Sequence, residues 1–318
     1  MSEARSKISI VIPCHNEAAI IGETLAKILQ TTSELDYRFE LIFVDDGSDD
    51  QTLEILLNEK SRTRGVEFVI LELSRDFGKE AAMTAGLDAA SGDACVFLDA
   101  DLQDPPSLLG ELIARWKDGF EVVAVRRLER KSDSFLKRST AALFYKFNNL
   151  VTDRPIPENV GDTRLIDQSV VHALRQLPEN RRFMKGLFSW VGFRTTFVAT
   201  KRIPRNNSDT KFSSWKLMNL GLEGITSFST SLLRVWTILG IIISIYAFSH
   251  GAYILVRTLV HGVDLPGYAS LMVVVLFMGG IQMVGFGLIG EYVGRIYHEA
   301  KRRPIYILRR RYDGPARD

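Results

Sequence analysis

Leu98–Pro106 reads LDADLQDPP, with three aspartates inside six residues directly behind the apolar run Ala94-Cys95-Val96-Phe97. A short apolar run closed by acids is the pattern of a buried strand at the point where it meets solvent. Taken alone, the stretch has two readings: a cation site, or a polar turn leading into a helix. Asp99 and Asp101 are two apart, so an extended backbone places them on the same side. Paired carboxylates suit a hard divalent cation such as Mg2+ or Mn2+. Asp104-Pro105-Pro106 carries the marks of a helix start, since proline suits a first turn.

The rest of the N-terminal half supplies the context. Ile8–Ile12, Phe39–Val44, Val66–Leu71, Ala94–Leu98 and Val122–Val125 read as strands. Between them Ala18–Gln30, Asp50–Lys60, Lys79–Ala90 and Pro106–Asp118 carry helical spacing. Such βαβ alternation predicts a mainly parallel sheet with helices on both faces, and ligands then bind beyond the carboxyl ends of the strands. The polar residues gather there. Strand one ends in Pro13-Cys14-His15-Asn16-Glu17, strand two in Asp45-Asp46-Gly47-Ser48, and strand three in Ser74-Arg75-Asp76-Phe77-Gly78-Lys79. A single acidic strand end could be a helix cap, the role open to Ser48 or Asp50. Four together point to a site.

The formal net charge of +2 gives no reason to expect a nucleic-acid partner. The cysteines Cys14 and Cys95 lie in or beside strands and read as reduced, packed thiols. MSEARSK runs straight into the first strand, so no signal peptide is expected. Toward the other end, Val235–Val256 and Leu265–Gly290 contain no Lys, Arg, Asp or Glu. Each is long enough to cross a hydrocarbon core of about 30 Å as a helix. Two transmembrane helices are therefore expected, at about 233–257 and 265–290. Arg295, Lys301, Arg302, Arg303, Arg309, Arg310 and Arg311 follow the second, whereas the connector has only Arg257 and His261. The positive-inside rule then puts the N-terminal part and the basic tail, 293–318, both in the cytoplasm.

Arg126–Arg138 (RRLERKSDSFLKR) holds six basic and two acidic residues. It reads either as a solvated loop or as a segment that meets phosphate. Stretches at about 136–152 and 213–230 are amphipathic, and either lie in the membrane interface or pack on the sheet domain. Gly285-Phe-Gly287-Leu-Ile-Gly290 matches a dinucleotide motif but falls inside an apolar span with no preceding strand. Glycines there let helices approach closely, and Gln282 offers a hydrogen bond within or between protomers.

Eight motifs in order carry a resemblance that covers nearly the whole chain: VIPCHNE (Val11–Glu17), VDDGSDD (Val44–Asp50), SRDFGKE (Ser74–Glu80), DADLQDPP (Asp99–Pro106), GDTRL (Gly161–Leu165), RFMKG (Arg182–Gly186), GEYVGRIY (Gly290–Tyr297) and RRP (Arg302–Pro304). The chain resembles the GT-A-fold, family 2 polyprenyl-phosphate glycosyltransferases. It is most similar to bactoprenol glucosyltransferases and more distantly to dolichyl-phosphate mannose synthases. The resemblance implies an α/β, Rossmann-like GT-A domain over 1–230, two transmembrane helices within 231–292, and an integral, multi-pass inner-membrane location. It implies a UDP-sugar donor, a polyprenyl (undecaprenyl) phosphate acceptor and a homo-oligomer such as a tetramer.

The site residues implied by the resemblance are specific. Pro13, Glu17 and Asp45 line the nucleoside pocket, and Asp76 with Lys79 continues it toward the base and phosphates. Asp99 and Asp101 carry the metal, Asp101 more directly, with Gln103 as a metal or sugar contact. Asp162 is the acid near the acceptor, and Arg202, Arg205 and Lys211 meet phosphate. Ser208 stands where relatives often have glycine, and Thr210-Lys211-Phe212 replaces Ser-Lys-Tyr, which weakens the carry-over for that loop. Arg126 and Arg127 add positive charge between two polyanionic substrates.

The implied reaction is an inverting, in-line attack by lipid phosphate on the sugar's anomeric carbon. A phosphate monoester with a second pKa near ~6 is mostly a dianion at neutral pH, so a strong base is not essential. Asp162 is then expected to orient the acceptor or hydroxyls, with a general-base role as the alternative. Glucose is the expected sugar, with GDP-mannose or UDP-linked formyl-amino-arabinose as donor alternatives. A non-catalytic membrane scaffold is the alternative of a different class.

Overall fold

A computed structural model describes residues 5–127, 160–180, 182–200, 231–261 and 267–313. The stretches at 136–152 and 213–230, most of the basic segment after Arg127, and Arg202, Arg205 and Lys211 lie outside the described residues.

The expected βαβ succession is present: β1 (Lys7–Cys14), α1 (Ile21–Ser33), β2 (Arg38–Asp45), α2 (Thr52–Arg62), β3 (Glu67–Leu73), α3 (Lys79–Ala89), β4 (Ala94–Phe97), α4 (Leu109–Lys117) and β5 (Val122–Arg127). A 3-10 turn over Pro106–Leu108 leads into α4 with proline at its first position, as the sequence suggested. Side-chain alternation builds a core on each face of the sheet. Ile8, Ile10 and Ile12 pack with α1, α2 and α4, while Val11, Ile42 and Val44 pack against α3 on the other face. Gly86 allows that second contact, because a Cβ there would lie 2.2 Å from Val11 Cγ1.

Three later strands were not foreseen and change the sheet. β6 (Val160–Asp167), α5 (Gln168–Arg175), α6 (Met184–Trp190) and β7 (Thr195–Thr200) follow β5. The eight-stranded order is β7-β5-β6-β4-β1-β2-β3-β8. β6 inserts between β4 and β5, antiparallel to both, so the sheet is mixed rather than mainly parallel. The last strand, β8 (Leu308–Tyr312), pairs antiparallel with β3. Part of the basic tail thus returns to the sheet edge. Arg309 pairs with Glu72 at 3.2 Å, Tyr312 Oη donates to Glu72, and Lys60 Nζ donates to the Tyr312 carbonyl.

Before that return, α7 (Ser231–His261) and α8 (Tyr268–Ala300) run for 31 and 33 residues. At 1.5 Å rise per residue each exceeds roughly 45 Å. Gly285 of α8 sits against the Trp236 indole of α7, where a Cβ would come within 2.6 Å of Nε1. Counted over the described residues alone, no helix is both long and apolar enough to cross a membrane; several α7 side chains are not among them.

The parallel strands β3-β2-β1-β4 place their carboxyl ends together, with the order reversing between β1 and β4. That switch point opens a crevice.

Candidate active site

The crevice is lined from all four strand ends. β1 contributes Pro13, Cys14, His15 and Glu17, β2 contributes Asp46, the β3–α3 turn contributes Asp76, Gly78 and Lys79, and β4 runs out into Asp99, Ala100 and Asp101. Six of the sequence-selected residues, Pro13, Glu17, Asp76, Lys79, Asp99 and Asp101, therefore meet around one cavity.

Backbone turns shape its floor. The β4 chain continues beside β1 through Leu98 N–H to the Val11 carbonyl at 3.0 Å, and Thr24 Oγ1 of α1 donates to the Ala100 carbonyl at 2.6 Å. Leu102 then adopts a left-handed φ of 56°, a strained choice for leucine that folds the chain back under Asp101. Gln103 Nε2 donates to Asp101 Oδ2 at 2.5 Å, and its amide N–H to Oδ1 at 3.2 Å. Gln103 thus grips the Asp101 carboxylate through both its side chain and its backbone. Asp104 is fully buried and belongs to the framework.

The two aspartates that end β2 have different surroundings. Asp45 is buried beneath the crevice, with Oδ1 lacking a hydrogen-bond partner among the described residues. Burial raises its pKa despite hydrogen bonds from Ser48. Asp46, which sequence reasoning passed over, accepts from Phe77 N–H at 2.8 Å and Gly78 N–H at 2.9 Å. It pins the turn that starts α3, with Gly78 at φ +95°. Its carbonyl accepts from His15 Nδ1 at 2.9 Å, which fixes the proton on that nitrogen. The available signal was the D-G pair itself, since Asp before Gly favours side-chain-to-backbone turns.

The charged centre lies on the β4 side. Lys79 Nζ bridges Asp99 Oδ1 at 2.6 Å and Asp162 Oδ2 at 2.5 Å, and Lys185 Nζ reaches the other Asp162 oxygen at 3.2 Å. Burial disfavours the Lys79 charge, but Asp99 and Asp162 outweigh it and raise its pKa. For Asp162 burial acts upward, yet Lys79 and Lys185 together hold the carboxyl well below the ordinary range. Asp99 shifts the other way: burial dominates, Lys79 opposes it, and Asp162 adds repulsion. Environment therefore separates two carboxylates that share one lysine. Arg164 donates to the Gly161 and Asp162 carbonyls. It is buried over the Phe188 ring at 4.0 Å, and burial pulls its pKa down to about 10.

Glu80, also unforeseen, accepts from Met184 N–H at 3.0 Å and ties α3 to α6. Burial raises its pKa from 4.5 to about 7; the Met184 amide, Lys185 and Lys79 act downward and Asp162 acts upward. The folded form thus holds this proton more tightly than the unfolded chain, and the associated stability is lost as pH rises from about 4.5 through 7. Glu80→Gln should flatten that part of the stability curve, and wild-type and variant melting temperatures across pH 4–8 check it. Parallel curves would remove Glu80 as the source.

Arg126 does not reach the crevice. Its guanidinium lies 3.9 Å from the Phe197 ring centroid. β6 separates β5 from β4, which moves Arg126 about 10 Å sideways at ~4.8 Å per strand. The side chain of Arg127 lies outside the described residues.

The description of glycosyl transferase family 2 matches residues 9–175, more than half of the chain and all four strand ends that form the crevice. The chain belongs to glycosyl transferase family 2. This family 2 glycosyltransferase is 47% identical, over 95% of its length and 94% of the other's, to an uncharacterized glycosyltransferase of Synechocystis. It is 45% identical to the prophage bactoprenol glucosyl transferase homolog of Escherichia coli, over 96% and 99% of the two chains. Among solved structures it matches glucosyl-3-phosphoglycerate synthase of Mycobacterium tuberculosis in complex with Mn2+ and UDP-glucose. There the TM-score is 0.50 at 21% identity, covering 71% of this chain and 81% of that one. The fold of this glycosyltransferase is accordingly GT-A-like, an α/β fold with a mixed sheet.

Proposed function

We propose that this glycosyltransferase transfers glucose, with inversion, from UDP-glucose to polyprenyl phosphate at the cytoplasmic face of a membrane. The observation that carries the reading is the near-full-length similarity to relatives named bactoprenol glucosyl transferases, joined to an acidic crevice at the sheet's switch point. In this reading 1–230 is the catalytic domain, with the segments near 136–152 and 213–230 beside the membrane. α7 and α8 span the bilayer, supported by the uncharged runs Val235–Val256 and Leu265–Gly290 and by exposed Ile241, Ile242, Ile245 and Phe277. Residues 293–318 stay cytoplasmic, and protomers pack through the glycine-rich α8, where Gln282 is exposed.

The donor's nucleoside enters between Pro13, Glu17 and Asp45, and Asp45 Oδ1, which has no hydrogen-bond partner among the described residues, suits a ring or ribose donor. The residues at β4 fit Mg2+ or Mn2+ in the way such ions are held beside a nucleotide. Asp101 and Asp99 offer hard oxygens, and no cluster of three or more potential ligands exists among the described residues. The remaining positions suit diphosphate oxygens and water. When bound, the ion supplies charge neutralisation for the UDP leaving group. Gln103 orients Asp101, and Lys79 moves between Asp99, Asp162 and the incoming phosphates. Asp162, paired with two lysines, is too weak a base for proton abstraction near neutrality and serves to position them. The acceptor dianion needs no such base.

The deciding assay uses the full-length chain in lipid nanodiscs containing polyprenyl phosphate, with labelled UDP-glucose, UDP-galactose, UDP-GlcNAc and GDP-mannose. Glucose-labelled polyprenyl phosphate, dependent on divalent metal, is the expected product. Transfer from GDP-mannose alone would replace the donor assignment, and no labelled lipid from any donor would end this reading.

A further inference from the structure

The Asp162 carboxylate divides two lysines. Lys79 lies on the crevice lining and takes Oδ2, whereas Lys185 takes Oδ1 from outside that lining. Lys185 is the second residue of α6, whose first amide, Met184 N–H, is held by the Glu80 carboxylate next to Lys79 in sequence. One short segment of α3 thus fixes both lysines relative to Asp162. The Lys185–Asp162 contact is the longer of the two, and its side chain is 36% exposed, so the ammonium retains access to solvent.

The charge balance gives this placement a use. The donor crevice is bordered by Glu17, Asp46, Asp76, Asp99 and Asp101, with Lys79 facing them. A second anion approaching the reaction centre from beyond Asp162 meets unfavourable potential unless a cation stands on that side. Among the described residues, two arginines on that side of the sheet are engaged elsewhere: Arg126 rests on Phe197, and Arg164 is buried on carbonyls. Resting on the acceptor assigned above, we propose that Lys185 binds the acceptor's phosphate monoester, with Asp162 holding the ammonium in place before the acceptor arrives.

The test uses full-length wild type, Lys185→Met and Lys185→Arg in nanodiscs, with KM measured separately for polyprenyl phosphate and for UDP-glucose. UDP binding is followed by calorimetry, which also reports that each variant is folded. Loss of a charge-assisted contact should raise the acceptor KM of Lys185→Met about 10- to 100-fold, with partial recovery in Lys185→Arg. UDP affinity should stay within about threefold by the same reasoning, since the contact lies off the donor crevice. An increased UDP-glucose KM with an unchanged acceptor KM would assign Lys185 to the donor diphosphate and overturn the proposal. A fall in kcat alone would reduce it to a support for Asp162, which also overturns it. Wild type that transfers no sugar to polyprenyl phosphate would instead remove the underlying function, a separate result.

Discussion

Asp101→Asn is expected to lower sugar transfer by at least about 100-fold while leaving the melting temperature nearly unchanged. The carboxylate lies on the crevice wall and receives two hydrogen bonds from Gln103. The turn at Leu102 aims it there at some conformational cost. Asparagine keeps the shape but removes the charge, and its amide nitrogen can face the Gln103 amide group without an acceptor between them. Loss of a preorganised electrostatic contact at a reacting centre typically costs about 10²–10³ in rate. Initial rates with labelled donor and saturating Mn2+ measure the effect. Turnover equal to wild type would remove Asp101 from the chemistry.

Gly47→Ala should strongly disrupt the crevice with a single added methyl. Gly47 has φ +64°, and a Cβ there would lie 2.4 Å from the Arg75 carbonyl carbon and 2.6 Å from Asp76 N. Both neighbours are backbone, so no rotamer change relieves the contact. The turn must open, which pulls Asp46 off the Phe77 and Gly78 amides. Positive φ and overpacking together predict a loss of about 2–5 kcal/mol, with UDP binding lost before the global fold. Gly65→Ala is the internal comparison: φ is +83°, but nothing lies within 4 Å of the added carbon, so only the conformational cost of about 1 kcal/mol remains. Thermal melts and UDP titrations of the two variants check this. Equal melting temperatures would refute the steric account.

The parts of the molecule that could be read in the sequence are those where burial and chemistry leave a local pattern. Ile8, Ile10 and Ile12 alternate with the other face, and the acids after β1 to β4 stand where parallel strands end. β6 hid because its inward positions include Thr163 and Arg164, which blur a period of two. β8 hid because LRRRY is an edge strand held by backbone pairing, Glu72 and Lys60 rather than by apolar burial. Asp45 and Asp46 are adjacent identical residues, and only the folded turn shows which one takes the amides. The Lys79–Asp162 pair joins positions 83 residues apart, a contact created by β6 settling beside β4. Lys185 and Glu80 depend on the same event.

The return of the chain to the sheet has a mechanical consequence. β8 is zipped to β3, Ser74 N–H donates to the Ile307 carbonyl, Tyr306 donates to Asp88, and Glu299 near the end of α8 accepts from Asn180 N–H. With α7 and α8 placed in the bilayer as proposed, these contacts fasten the sheet body to the far end of the helical hairpin, directly behind α8. A body on a single stalk would swing through a wide cone. One tied down along β8 and the turn behind α8 loses many of those degrees of freedom and presents its crevice over a narrower range of heights and bearings. A lipid acceptor confined to a plane is then sought by lateral diffusion alone, in two dimensions, without the enzyme having to search for it.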